Sequence, residues 1–301
     1  MPKFSVIINV FNGESYLCQA ITSVLQQTLS DLELIIVDNA SNDGTVDLIN
    51  GFDDKRIKKI FNKKTIPLGE SRNIGLKLSQ GEFVSFLDCD DWWSVNRLEL
   101  VYKRCKSTDF AALYTNGYKF FQKNQVTRKF YNFSQKEGDL FNQLVSRYHI
   151  YLPSLVFSRI YLDKLDYFFN PKYSMIEEAE LVIRISRLGQ VIYSNDCTCY
   201  WRVHEDSLSW TAQGKFSIEN AQFLSDLKSW NYKELNTESI RAFEARNAYR
   251  TYLDKSKNGI SCRSLLRPYI WYDKRLLVFY VLSFMPFTLT LYFLRLLGKE
   301  I

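Results

Sequence analysis

Apolar positions along the first hundred residues alternate between two rhythms. The run FSVIINV over Phe4–Val10 is rich in β-branched residues and is closed by Asn12-Gly13, and Leu17, Ala20, Ile21, Val24 and Leu25 then recur at spacings of three and four. That pattern predicts a strand, a turn and an amphipathic helix. Leu34–Val37 is apolar throughout and bounded by polar residues, as expected of a strand covered on both faces. A helix from Thr45 to Asn50, a strand over Ile57–Phe61, a helix over Ser71–Ser79 stopped by Gly81, a strand over Phe83–Leu87 and a helix over Ser94–Cys105 continue the alternation. The order βαβαβαβ predicts an α/β fold: a doubly wound, mostly parallel sheet with helices on both faces. Beyond Ala111 the rhythm loosens. Strands are expected over Leu113–Phe121 and Lys129–Phe133, a helix over Glu177–Leu188 closed by Gly189, and a strand pair over Val191–Ser194 and Thr198–Val203. The polar stretch from Ile218 to Lys255 reads as connecting helices.

This order of elements by itself places the chemistry. Ligands of open α/β sheets sit outside the carboxyl ends of the strands, and three polar clusters fall at such ends: Asn9–Gly13, Asp38–Gly44 and Asp88–Asp91. They are expected to converge on one acidic crevice, which calls for a cation or a basic ligand. Asp88-Cys-Asp-Asp91 packs three carboxylates into four residues, a costly repulsion unless a cation or hydrogen-bond donors compensate. Hard oxygen ligands select Mg²⁺ or Mn²⁺, held by one or two carboxylates plus substrate phosphates. The alternative is that Asp91 only caps the following helix while the others are solvated; the strand-end position favours the metal.

The composition narrows the class. With 46% hydrophobic and 16% aromatic residues in 301, the chain can build a core and is not disordered. A net charge of +6 suits phosphorylated substrates or an anionic membrane surface and is too weak to argue for nucleic acid. The 6 cysteines make no CxxC pair, which favours a reducing compartment over zinc or disulfide chemistry. Met1–Val10 lacks the apolar segment and cleavage site of a signal peptide.

Six blocks in order carry a resemblance: SVIINVFNG (Ser5–Gly13), SVLQQT (Ser23–Thr28), ELIIVDNASNDGT (Glu33–Thr45), SRNIG (Ser71–Gly75), GEFVSFLDCDD (Gly81–Asp91) and YWRVHEDS (Tyr200–Ser207). Together they resemble family 2 glycosyltransferases over roughly the first 210 residues. The resemblance implies a GT-A fold and an inverting, metal-dependent transfer from a nucleotide-sugar donor, UDP- or dTDP-linked, to a glycan or lipid-linked acceptor. It implies a nucleotide-sugar-binding half over residues 1–110 and an acceptor-binding half over 111–215; beyond it, the pattern of the chain itself reads as a helical linker over 216–260 and a membrane-associated segment over 261–301.

Carried over residue by residue, the resemblance gives Asn9, Phe11, Asn12, Asp38, Asn39, Arg72, Asp88, Asp91 and His204 as substrate-binding positions and Asp88, Asp90 and His204 as metal ligands. Asn39 stands where the family often has a second Asp reading uracil, and Asn9 where Pro is common. Arg72, near a helix start, is expected to face a diphosphate or else to pair with a neighbouring acid. His204 either completes the metal or balances the leaving group, with a structural hydrogen bond as the alternative. Glu178, in the pair Glu177-Glu178, resembles the base that takes the acceptor proton, with Glu180 as backup; two acids complementing a helix dipole is the simpler reading.

The C-terminal run over Leu276–Leu297 is apolar except for Ser283, Pro286, Thr288, Thr290 and Arg295 and follows Arg263, Arg267, Lys274 and Arg275. Three readings stand: a membrane span, a Pro286-broken hairpin in the interface, or a buried helix pair. All three leave the catalytic part cytoplasmic, and the first two hold it at the cytoplasmic face of the inner membrane. Two other functions remain open, a GT-A-fold binding or scaffold subunit without turnover, and a sugar nucleotidyltransferase, which the lack of a Gly-rich first loop disfavours.

Overall fold

The structure is a computed structural model, and it describes residues 1–205, 207, 213–257, 259–260, 262–272, 274–285 and 289. The chain divides into two units, Met1–Phe141 with Tyr148–Ser207, and Asn142–Arg147 with Leu208–Ile301.

The first unit is built on one sheet. β1 (Phe4–Val10), β2 (Leu32–Asp38), β3 (Ile57–Phe61) and β4 (Phe83–Asp88) lie in the order β3-β2-β1-β4, all parallel. Between them run α1 (Leu17–Leu25), α2 (Thr45–Gly51) and α3 (Leu68–Leu78), so this half follows the predicted alternation. Successive side chains of a strand point to opposite faces, and β1 uses both. Val6, Ile8 and Val10 join a core with Leu17, Ala20, Ile21 and Val24 of α1, Ile49 of α2, and Leu98 and Val101 of α4 (Arg97–Cys105). Each of the valine, leucine and isoleucine side chains among them, fully buried, contributes about 1.5–3 kcal/mol. Ile7 faces the other way, toward α3, whose Gly75 sits so close that an added Cβ would lie 2.6 Å from the Ile7 Cγ2.

The rest of the sheet corrects the expectation of a mostly parallel one. β8 (Leu155–Ser158) is antiparallel to β4, and β6 (Ala112–Phe121) is antiparallel to β8. β9 (Val191–Val203) is parallel to β6, β5 (Trp92–Trp93) is antiparallel to β9, and β7 (Val126–Lys129) hairpins onto β6. The sheet is therefore mixed. The expected pair Val191–Ser194 and Thr198–Val203 is one strand, because irregularities at Thr115/Asn116 and Asn116/Tyr118 let β6 and β9 stay paired across the polar middle. The expected strand Lys129–Phe133 ends at Lys129, since Asn116 takes over the backbone of Tyr131 through its side chain. The helix expected from Ser94 begins at Arg97, because Trp92 and Trp93 pair with β9 and the Ser94 N–H still donates to the Thr198 carbonyl. The short helix α5 (Phe141–Ser146) leads out of this unit, and α6 (Arg159–Leu162) and α7 (Glu177–Ile185) complete it.

The second unit holds α8 (Gln213–Ser229), α9 (Thr237–Lys257) and α10 (Lys274–Leu282). Phe223 of α8 packs on Phe243 of α9, and Ala245, Tyr252, Cys262, Leu266, Leu276 and Phe279 form a small core. Among the described residues no helix is long and apolar enough to cross a membrane. Of the expected run Leu276–Leu297, residues 286–288 and 290–297 lie outside the described residues.

The close approach of α3 to β1 gives a direct test. Gly75→Ala is expected to destabilise the protein by about 1–3 kcal/mol, the cost of overpacking a filled core, measured as a lower urea midpoint with an unchanged slope.

Candidate active site

The parallel register puts Asp38 opposite Val10 and Asp88 opposite Asn9, so the two acids flank the carboxyl end of β1. The loops beyond are stitched together. The Asn12 N–H donates to Ser41 Oγ (2.9 Å), the Asn42 N–H to Asn12 Oδ1 (2.9 Å), and the Gly13 N–H to Thr45 Oγ1 (2.8 Å). Asn12 adopts the left-handed region, φ 53°, which Asn tolerates better than most residues. Phe11 is exposed beside it, and Asn9 donates to Ser71 Oγ at 2.8 Å. Asp38 is buried; its Oδ2 accepts from the Ser41 N–H, and its Oδ1 has no hydrogen-bond partner among the described residues. Asn39 anchors a neighbouring loop. It donates to the Ile66 carbonyl (2.8 Å) and accepts from Asn62 Nδ2 (3.0 Å) and the Ile66 N–H (3.1 Å).

The acidic loop after β4 is held from two sides. Arg202 of β9 donates its backbone N–H to Asp91 Oδ1 and its Nε to the Asp90 carbonyl, both at 2.8 Å, and its Nη2 reaches Gln19 Oε1 of α1 at 2.5 Å. Its guanidinium lies over the Tyr16 and Trp92 rings. Asp91 is buried, and burial together with the charges of Asp90 and Asp88 pushes its carboxyl far above the usual range. It is a support for Arg202, facing inward. Asp90 Oδ2 lies 2.9 Å from His204 Nε2, whose ring rests against Tyr16; His204 Nδ1 is buried without a partner among the described residues.

Arg72 makes the decisive link. Its side chain is 4% exposed, Nη2 bonds Asp88 Oδ1 at 2.8 Å and Nη1 bonds Glu177 Oε1 at 2.6 Å. The guanidinium thus binds acids of this chain. Confinement pushes Asp88 above its ordinary value, Arg72 pulls it down and Asp90 adds to the rise. Next to Glu177, Glu178 accepts from the Tyr148 hydroxyl at 2.8 Å, and withdrawal from water raises its carboxyl to about 8 against the opposing pull of Arg72. Glu180 is fully buried in an ion pair with Arg184 (2.7 Å), which removes it from solvent and from the role of backup base.

A metal can be tested against these donors. Among the described residues no three His, Cys, Asp or Glu side chains gather tightly enough to hold an ion alone. Asp88 is turned to Arg72, which leaves Asp90 and His204 adjacent, one carboxylate and one imidazole. That set fits a hard divalent ion that takes its remaining ligands from substrate phosphates and water.

The sequence profile described as Glycosyl transferase family 2 matches residues 5–166. The chain belongs to family 2 of the glycosyltransferases. An uncharacterised glycosyltransferase of Haemophilus influenzae is 41% identical over 101 residues, 33% of this chain and 40% of that one. The Escherichia coli enzyme named UDP-Glc:alpha-D-GlcNAc-diphosphoundecaprenol beta-1,3-glucosyltransferase WfgD is 34% identical over 126 residues, 42% of this chain and 49% of that one. The matched stretch thus spans about half or less of these two relatives. Among solved structures, Staphylococcus aureus TarS superposes with a TM-score of 0.63 at 20% identity over 86% of this chain and 74% of that one. A Pyrobaculum calidifontis mannosyltransferase, solved with GDP-Man and Mn²⁺, gives 0.60 at 16% identity over 99% and 88%. Both have the GT-A-like α/β fold of the family seen here.

Sequence reasoning missed three residues of this family 2 site. Tyr148 and Gln19 belong to no motif, and Glu177 reads in sequence as a dipole partner of its own helix. Arg72→Met is expected to cost about 3–5 kcal/mol in chemical denaturation, since it strands buried acid charge. Adding Glu177→Gln should recover part of that loss, and strictly additive effects would refute the coupling.

Proposed function

We propose that the protein is a metal-dependent inverting glycosyltransferase that moves a sugar from a nucleotide-sugar to a hydroxyl of a glycan or lipid-linked acceptor. The observation that carries this reading is the Arg72 bridge. It joins the strand-end acid Asp88 to Glu177, and the neighbouring Glu178 feels the charges of both Arg72 and Asp88. The activity in WfgD's name, and TarS and the mannosyltransferase solved with UDP-GlcNAc and with GDP-Man and Mn²⁺, support a nucleotide-sugar donor. A UDP- or dTDP-sugar is the expected choice, and WfgD supports a diphosphate-linked lipid acceptor.

In this reading Asp38, Phe11 and Asn12 receive the nucleoside, and Asn39 serves the base through the loop it anchors. Asp90 and His204 hold Mg²⁺ or Mn²⁺, which supplies a Lewis acid for the departing nucleoside diphosphate. Arg72 fixes Asp88 and offsets its charge. Glu178 takes the proton of the acceptor hydroxyl as that oxygen bonds to the anomeric carbon and the bond to the diphosphate breaks on the opposite face. Tyr148 orients the carboxylate by its hydrogen bond.

An anionic membrane at the cytoplasmic face of the inner membrane completes the proposal. α10 buries Leu276 and Phe279 and exposes Val278 and Val281, and exposed Trp271 lies near Arg263, Arg267 and Arg275 in the chain. Apolar and cationic side chains in one stretch suit a lipid interface.

Diphosphate release from UDP-, GDP- and dTDP-sugars is expected to vanish with EDTA, to fall by about two or more decades in Asp90→Ala, and to be nearly lost in Glu178→Gln. Normal turnover in Glu178→Gln would dismiss it as base. With Glu178 at about 8, kcat/KM should climb with pH and level off above that value. The sign for stability is opposite. A carboxyl raised from 4.5 keeps its proton in the folded state, so its contribution is whole below pH 4.5 and is lost as pH rises through about 8. Glu178→Gln should therefore gain Tm over wild type between pH 5 and 9. Flotation should recover the protein with phosphatidylglycerol vesicles more than with phosphatidylcholine vesicles, and Trp271→Ala with Val281→Ser should weaken it; equal recovery on both lipids would refute the membrane surface.

A further inference from the structure

Lys119, on β6, sets its Nζ 4.9 Å from the ring centre of Tyr151 and 5.2 Å from that of Trp201. The two rings lie 5.4 Å apart, and Phe130 packs on Tyr151 at 4.3 Å. All four side chains are partly exposed. Among the described residues Lys119 has no ion pair, although the chain elsewhere pairs cations with acids readily. An ammonium held on aromatic faces has lost part of its water and gained no counter-ion, a state suited to an incoming anion.

The surroundings say where that anion belongs. Neighbouring residues of a strand face opposite ways, and Phe120 and Arg202 share one face with Trp92, the face that supports Asp90 and Asp91. Lys119 and Trp201 therefore present to the other face. There Tyr151 neighbours Tyr131 at 6.0 Å, and three residues before Tyr151 stands Tyr148, which holds Glu178. Tyr131 is in turn close enough to the Tyr148 hydroxyl to raise it, so Tyr151, Tyr131 and Tyr148 lead in a row from the cation toward the proposed base.

We propose that Lys119, Tyr151 and Trp201 form an acceptor subsite in which a sugar stacks on the rings and the ammonium binds a phosphate or diphosphate ester on that acceptor. This rests on Glu178 being the base. Lys119 is a specificity residue and takes no part in proton transfer.

Two probes test it: α-N-acetylglucosaminyl decyl diphosphate and decyl α-N-acetylglucosaminide, which share sugar and chain and differ in the diphosphate. Calorimetry on the full chain with saturating UDP and Mn²⁺ should find the charged probe bound about tenfold tighter, the scale of a charge-assisted contact. That preference should collapse in Lys119→Gln and survive in Lys119→Arg, with UDP affinity unchanged in both. Failure of the charged probe to bind, or a preference that persists in Lys119→Gln, would overturn the subsite. So would an equal loss of UDP affinity in Lys119→Gln, which would assign the cation to the donor. UDP binding, measured first, separates these failures from failure of the glycosyltransferase reading itself.

Discussion

Carboxylates crowded at the end of a sheet repel one another, and the first unit answers with one buried guanidinium. Arg72 is nearly sealed from water, where an arginine with a single acid partner would be costly, and it meets two acids from segments far apart in the chain. Its position depends on packing. Gly75 lets α3 settle against Ile7, and Arg72, one turn earlier on the same helix face, is carried to the strand end with Ser71, which meets Asn9. The distance between helix and sheet thus sets the distance between acids.

What the sequence revealed follows the range of the interactions involved. The parallel half was legible because its strands are short apolar runs and its helices bury a regular stripe, both local signals. The mixed half was not. The irregular pairing of β6 with β9 is decided by Asn116, whose side chain bonds residues both near and distant in sequence, and no periodicity records that. In the site, Asp88, Asp90 and Asp91 announce themselves by being adjacent. The partner of Arg72 at Glu177 stands 105 residues away, and Tyr148 carries no motif, so neither could be read from spacing. Glu178 in sequence was one of two acids at a helix start; its half-buried carboxylate, free of the Arg72 ion pair and held by a tyrosine, distinguishes it.

Asn39 shows how a departure from a family pattern can be absorbed. An amide offers both donors and acceptors, and here they are spent on the backbone and side chain of residues 62–66. A carboxylate in its place would accept from Asn62 and Ile66 but could not donate to the Ile66 carbonyl. The amide therefore serves as a clasp on a neighbouring loop.

Arg202 has a consequence for how the protein comes into being. Its bonds reach Asp91 across 111 residues and Gln19 across 183. While the chain is being synthesised, the acidic loop emerges long before the residue that braces it. The bracing of the acids therefore depends on β9, the last strand of the sheet to be made.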